Sequence, residues 1–276
     1  MADAYTESAV AAALAVATRL GLRTDSPEVL HARSNVLVRL GPVVARVPAT
    51  TRLARPEPAP WLARDVALSR HLTERGVPVV SPLTDPPAGP HFAAGLPVTL
   101  WHWTPHDPDH GYGPDVVAES LARVHAGLRD YSGELPAGGP VEDLRRVFSL
   151  HGAAFGEKLP ALRAETDRIA AALPAGPVQA LHGDAHARNL IATEAGPCWL
   201  DFEDTWRGPL AWDLATLAVN TSYEAFAAYP TSVDDTAFKT CVELRRLFGV
   251  VWQHVIALRE PERLPRAQAA FDDYFS

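Results

Sequence analysis

The segment Ala180–Ile191, "ALHGDAHARNLI", carries His182, Asp184 and His186 at every second position. In a strand such residues share a face, and that is one way to supply metal ligands. A metal-dependent hydrolase built on His182, Asp184 and His186 would need a further ligand and an open coordination position. "HDPDH" (His106–His110) is a source for one. A second reading starts from Asp184 and the amide of Asn189, five positions later. Twelve residues beyond Asn189 stands Asp201, at the end of an apolar run in "WLDFEDTWRGPLAWDLA" (Trp199–Ala215). Phosphoryl transfer needs such a set. One carboxylate accepts or orients the proton of the attacking hydroxyl, while an amide oxygen and a second carboxylate hold Mg²⁺ against the nucleotide phosphates. Mg²⁺ keeps several waters and needs few protein oxygens. The hydrolase reading leaves Asn189, Asp201 and Asp213 without a task. The phosphotransfer reading uses the first two and leaves the histidines to the packing of the loop.

Around these residues the patterning predicts elements of two kinds. "NVLVRL" (Asn35–Leu40) and "VVARVP" (Val43–Pro48) are β-branched runs on either side of Gly41-Pro42, the signature of a hairpin. "WLARDVALSRHLTERG" (Trp61–Gly76) has an apolar stripe at Leu62, Val66, Leu68 and Leu72 and ends at a glycine, as a helix does. "PVTLWHW" (Pro97–Trp103) reads as a strand. "TPHDPDHGYGP" (Thr104–Pro114) then breaks regular structure. Beyond it the pattern predicts helices over 115–131, 141–155, 159–173, 210–222, 234–258 and 263–274, with short strands at 178–181, 190–191 and 198–201. The expected division is a lobe of residues 1–103 and a lobe of residues 104–276.

Composition narrows the partners. The 276 residues suffice for one large domain or two lobes. A net charge of −8 argues against a nucleic-acid backbone as partner and suits a cationic one. Only Cys198 and Cys241 occur, which is no disulfide framework and points to a reducing cytoplasm. "AVAAALAVAT" (Ala9–Thr18) has the apolar character of a signal-peptide core, but Asp3 and Glu7 precede it and no basic residue does. It is too short to span a membrane and reads as part of an Ala-rich helix, Glu7–Leu20, stopped by Gly21. Nothing points to an obligate protein partner. Lysine occurs only at Lys158 and Lys239, against 23 arginines, so a cation needed in the first lobe must be arginine.

The spaced residues resemble one family. His182-Gly183-Asp184 with Asn189, then Asp201-Phe202, then Gly208-Pro209 with Asp213-Leu214-Ala215 resemble the aminoglycoside phosphotransferase family, which shares the protein-kinase-like fold. The resemblance implies a bilobal α+β architecture, with a small β-rich N-terminal lobe and a larger, mainly helical C-terminal lobe. It implies Asp184 as catalytic base, Asn189 and Asp201 as Mg²⁺ ligands, and Asp213 as a tie between its helix and the catalytic loop. The donor would be ATP or GTP. In the first lobe the family's strand lysine and helix glutamate correspond to Arg46 and Asp65; Arg39 on the preceding strand competes with Arg46 for the role. An arginine–aspartate pair can do similar electrostatic work, because the guanidinium stays charged and forks two bonds. No glycine-rich loop is present, and Ser34 and Asn35 stand where phosphate-capping donors belong. Leu100, Trp101, His102 and Trp103 fall where the backbone would meet the nucleotide base.

The acceptor implied is a hydroxyl-bearing small molecule: a cationic antibiotic, either an aminoglycoside or a basic peptide, or else a metabolite such as an amino alcohol or sugar. A polycation calls for carboxylates near the reacting hydroxyl, and Glu203, Asp204, Asp234, Asp235, Asp272 and Asp273 are the candidates.

Overall fold

The structure is a computed structural model that describes residues 4–276. The chain divides between His106 and Asp107 into two compact units; the composition change lies three residues earlier, after Trp103.

The first unit is a five-stranded antiparallel sheet with helices. Its elements are α1 (Ala4–Arg19), β1 (Glu28–Ala32), β2 (Asn35–Leu40), β3 (Val43–Pro48), α2 (Thr51–Ala54), α3 (Pro58–Glu74), β4 (His91–Ala93) and β5 (Leu96–His102). The strand order is β1-β2-β3-β5-β4. The predicted hairpin forms with Leu40 opposite Val43 and Leu37 opposite Arg46, and Gly41 takes the left-handed φ of +64° that the tight turn demands. β3 is central and every one of its residues is buried, Arg46 included. α1 buries Ala9, Ala12, Ala13, Val16 and Ala17, a spacing of three and four that makes one narrow face. This face joins Val36, Val38, Val47, Val98 and Leu100 in the unit's core. Gly21 follows the helix at φ +71°, as its sequence position predicts. β1 and β4 escape the sequence patterns. β1 is an edge strand with almost no buried residue, and β4 has three residues, so neither shows alternation.

The second unit is mainly helical: α4 (Pro114–Leu128), α5 (Gly139–His151), a 3₁₀ stretch at Gly152–Lys158, α6 (Leu159–Ala172), α7 (Leu210–Asn220), α8 (Tyr223–Ala227), α9 (Asp235–Arg259) and α10 (Leu264–Phe275). Between α6 and α7 run four short strands: β6 (Gln179–Ala180), β7 (Leu190–Thr193), β8 (Gly196–Trp199) and β9 (Arg207–Gly208). β7 and β8 form a hairpin, and β6 pairs with β9. α7 is buried from Ala211 to Ala218, a mostly apolar stretch that also takes Asp213 and Thr216 inside. α8 and α9 start on side-chain caps: Ser222 Oγ accepts from Ala225 N–H at 3.1 Å and Asp234 Oδ1 from Ala237 N–H at 2.8 Å. No helix among the described residues is long and apolar enough to cross a membrane.

Small side chains let α1 lie close on the sheet. Ala13 is fully buried, and Ala13→Leu should destabilise the protein by about 1–3 kcal/mol through overpacking. Urea denaturation measures this directly; an unchanged midpoint would mean that the α1 face has slack.

Candidate active site

In the first unit the two arginines have different partners. Arg46 Nη1 lies 2.6 Å from Asp65 Oδ2, and both side chains are buried. With its amide oxygen turned toward the guanidinium, Asn35 accepts from Arg46 Nη2 at 3.2 Å and Nε at 3.3 Å. Arg46 on β3 is thus held by one carboxylate from α3 and one amide from β2. The helix periodicity that buries Trp61, Leu62, Val66 and Leu68 brings Asp65 inward with them. Arg39 is placed differently. It sits 3.5 Å from Glu28, donates to Gly41 O and lies over the Trp103 ring at 4.2 Å.

Asn35, expected at the phosphates, has its side chain on Arg46. The Ser34 carbonyl accepts from Ala49 and Thr50 N–H and closes the end of the hairpin. Leu100 and Trp101 are buried, whereas His102 is exposed. The N–H groups of Leu100, His102 and Trp103 donate to Ala88 O, Ser81 O and Pro42 O, so these three donors are engaged within the unit.

In the second unit Asp184, Asn189 and Asp201 lie on the loop and hairpin around β7 and β8. Asp213, in the first turn of α7, organises the loop. Its Oδ2 accepts the N–H of His182 at 2.8 Å and its Oδ1 that of Gly183 at 2.9 Å. Trp212 Nε1 donates to Gly183 O at 2.7 Å, and Thr205 Oγ1 donates to Leu181 O at 2.8 Å. Gly183 adopts φ +92°, and a Cβ there would sit 2.0 Å from the Asp204 carbonyl oxygen; only glycine fits.

His182 is fully buried between Trp199 and Phe202, with ring centroids 5.1 and 4.5 Å away. Its Nδ1 accepts from Asp184 N–H at 3.3 Å, and its Nε2 lies 3.2 Å from Leu200 O. A carbonyl can only accept, so these partners assign the neutral Nε2–H tautomer. Burial holds its pKa below the ordinary imidazole value, outweighing the pull of the Asp213 and Asp184 carboxylates. Both ring nitrogens are engaged, so His182 cannot ligate a metal. Among the described residues no group of three histidine, cysteine or acidic side chains could hold a metal ion. The hydrolase reading of His182, Asp184 and His186 is therefore corrected: His186 Nε2 lies 3.1 Å from Asp184 Oδ2, a pairing within the loop.

Asp184 is about a quarter exposed. Burial works to raise its pKa, but the Arg245 guanidinium and then His186 hold it well below the usual carboxylate range. Asn189 Nδ2 donates to Asp184 O at 3.0 Å, which leaves the amide Oδ1 as the atom suited to a cation. Leu200 N–H donates to Asn189 O at 3.0 Å across the hairpin ends, which places Asp201 beside the same strand end. Asp201 lies past the end of β8, not within a strand, at φ +70°. Aspartate tolerates this left-handed region better than most residues. The donors suit Mg²⁺: two hard oxygens, with no imidazole or thiolate among them.

The remaining predicted carboxylates are placed separately. Glu203 is buried and Asp204 half-buried on the turn after Asp201. Asp234 caps α9, and Asp272 lies 3.0 Å from Lys158. Asp235 and Asp273 are exposed.

The sequence model of the phosphotransferase enzyme family (APH) matches residues 28–238, a span that contains Arg46, Asp65, Asp184, Asn189, Asp201 and Asp213. The chain belongs to the phosphotransferase enzyme family. Solved structures are similar to this phosphotransferase over almost its full length. A choline/ethanolamine kinase family protein from Mesorhizobium loti is 19% identical, with 98% of this chain and 92% of that one covered and a TM-score of 0.60. The GDP and kanamycin complex of the phosphotransferase APH(2")-IIia is 16% identical, with 94% and 96% covered and a TM-score of 0.66. The macrolide 2'-phosphotransferase MphH from Brachybacterium faecium is 20% identical, with 94% and 97% covered and a TM-score of 0.60. At these identities the likeness establishes the fold, the protein-kinase-like one. A comparison with curated proteins finds no match.

Sequence reasoning missed His125 and Arg245. His125 of α4 donates from Nε2 to Asp213 Oδ2 at 2.9 Å, and its Nδ1 lies 2.7 Å from the Tyr229 hydroxyl. Burial pushes the Tyr229 phenol up to about 12, so it stays a donor to that nitrogen. His125 is 88 residues from Asp213, and no local spacing links them. Arg245 lies in the middle of α9, on a pattern indistinguishable from that of a surface arginine.

Two outcomes follow from this geometry. Gly183→Ala should destabilise the protein by more than the ~1–3 kcal/mol that a strained backbone costs by itself, because the Asp204 carbonyl must also move; urea denaturation within about 1 kcal/mol of wild type would contradict the packing. For His182 the folded pKa lies below the unfolded value of ~6.5, so the unfolded chain takes the proton first as pH falls. The stability that neutral His182 contributes is full above about pH 6.5 and is lost as pH falls below it. His182→Gln should flatten that part of the melting-temperature profile between about pH 7 and 5; an unchanged slope would assign it to other groups.

Proposed function

We propose that this phosphotransferase moves the γ-phosphoryl group of ATP or GTP to a hydroxyl of a small molecule. The observation that carries the reading is the joint placement of Asp184, Asn189 and Asp201 around one loop, fixed by Asp213 and His182. Asp184 orients the acceptor hydroxyl and takes its proton as the oxygen–phosphorus bond forms; the bond to the β–γ bridging oxygen breaks, and the nucleoside diphosphate leaves with that electron pair. Asn189 Oδ1 and the Asp201 carboxylate would hold Mg²⁺, which neutralises charge on the phosphate oxygens. Arg46 holds phosphate oxygens, oriented by Asp65 and Asn35; its fixed charge and planar fork do the work a lysine does elsewhere.

For the acceptor we favour a cationic antibiotic, an aminoglycoside or a basic peptide, whose modification would give resistance. The net charge of −8 and the carboxylates Glu203 and Asp204 next to Asp201 support a cation. An amino alcohol is the second reading, favoured by the likeness to a choline/ethanolamine kinase family protein and to the choline kinase LicA from Streptococcus pneumoniae.

Asp184→Asn should lower kcat by about 10²–10⁴-fold while Mg²⁺-dependent thermal protection by ATP or GTP persists. Near-normal turnover in that variant would remove Asp184 from the chemistry. A coupled assay with aminoglycosides, basic peptide antibiotics, choline, ethanolamine and sugars separates the acceptors; turnover confined to the last three overturns the antibiotic assignment.

A further inference from the structure

Asp184 does not face α9 with an unoccupied carboxylate. Arg245 Nη2 lies 2.8 Å from Asp184 Oδ1. That oxygen is buried and accepts no aligned hydrogen bond, so the contact is an ion pair that covers it. Since about a quarter of the Asp184 side chain is exposed, Oδ2 is the oxygen of the two that can meet solvent or substrate. It is also the oxygen near which His186 Nε2, at 3.1 Å, and Asn189 Nδ2, at 3.5 Å, converge.

Arg245 is itself held on several sides. Its Nε donates to Asn220 Oδ1, at the end of α7, at 3.0 Å. Its guanidinium lies 5.8 Å from the Trp212 ring centroid and 5.7 Å from that of Phe248. A nearly buried charge is costly unless paired and hydrogen-bonded, and here a carboxylate, an amide oxygen and two ring faces compensate it. Asn220 and Trp212 belong to α7, the helix that also carries Asp213. Through Arg245, α7 and α9 thus fix the carboxylate of Asp184, as Asp213 fixes the backbone of the same loop. Arg245 lies beyond residue 238, where the family match ends.

We propose that Arg245 is a positioning residue for phosphoryl transfer: it clamps Asp184 Oδ1 and presents Oδ2 to the acceptor hydroxyl. The inference rests on the phosphotransferase reading, and two experiments separate the failure of one from the failure of the other. The first needs no substrate. In a stability cycle of Arg245→Met and Asp184→Asn, the single variants should each lower the urea midpoint. The second change should recover part of the loss, because no unpaired buried charge remains. Additive losses would overturn the clamp. The second measures phosphate release from ATP or GTP with Mg²⁺ and water as acceptor. Arg245→Met should lower kcat by about 10²-fold, the scale of a misplaced group, with KM for the nucleotide unchanged. Arg245→Lys, or added guanidinium with Arg245→Met, should restore part of it. An unchanged kcat, or a loss that neither lysine nor guanidinium relieves, would overturn the proposal. If wild type releases phosphate from neither nucleotide and turns over none of the acceptors above, the phosphotransferase reading fails, while the stability cycle still decides whether the clamp exists.

Discussion

The carboxylate of Asp213 is the constraint on which the loop of the second unit depends. It lies fully buried in the first turn of α7, and it accepts the N–H groups of two successive loop residues and of the His125 ring. A buried carboxylate without partners would be strongly destabilising, so this one imposes its geometry on whatever supplies the donors. Two of these acceptances hold the backbone at His182 and Gly183, the third orients the carboxylate from His125, and Gly183 can only enter that conformation without a Cβ. Asp184 follows at once. His182 then couples the loop to Leu200, one residue before Asp201. Asp184, Asn189 and Asp201 are in this way placed relative to one another by hydrogen bonds within the loop and hairpin.

The first unit solves a related problem, a fully buried carboxylate, with an ion pair. A lysine on the central strand would extend a single point of charge; Arg46 presents a planar fork whose nitrogens face both Asp65 and Asn35. The shorter aspartate reaches its partner because α3 buries Asp65 completely, on the same face as Leu62 and Leu68. The polar pair is thus part of the packing of that face. It also explains why Asn35, in sequence the first residue of a strand that looked like part of a phosphate loop, faces inward.

Much of the architecture was legible locally. The β2–β3 hairpin, α3, α6 and α9 announce themselves through apolar period and terminal residues, and their observed ends lie within a few residues of those the patterns imply. What was not legible had no local signal. β1 is an exposed edge strand, β4 is too short for alternation, and β9 exists only because Arg207 and Gly208 pair with Gln179 and Ala180 some thirty positions earlier. Of the carboxylates expected to attract a cation, Asp234 is taken up as a helix cap and Asp272 by Lys158, roles that a sequence window cannot distinguish from ligand binding.

The sequence by itself determined the type of chemistry, because Asp184, Asn189 and Asp201 lie close along the chain, where short loops constrain their spacing, and because Gly208-Pro209 and Asp213 follow at family distances. It also restricted the cation of the first lobe to an arginine. The tertiary structure alone decided which arginine pairs with Asp65, that His182 is neutral with both ring nitrogens engaged, and that His125 and Arg245 pair with Asp213 and Asp184. The physical reason is range. Ligand spacing along a loop is a local property, whereas compensating a buried charge requires partners from elements that are distant in sequence and meet only when the core packs.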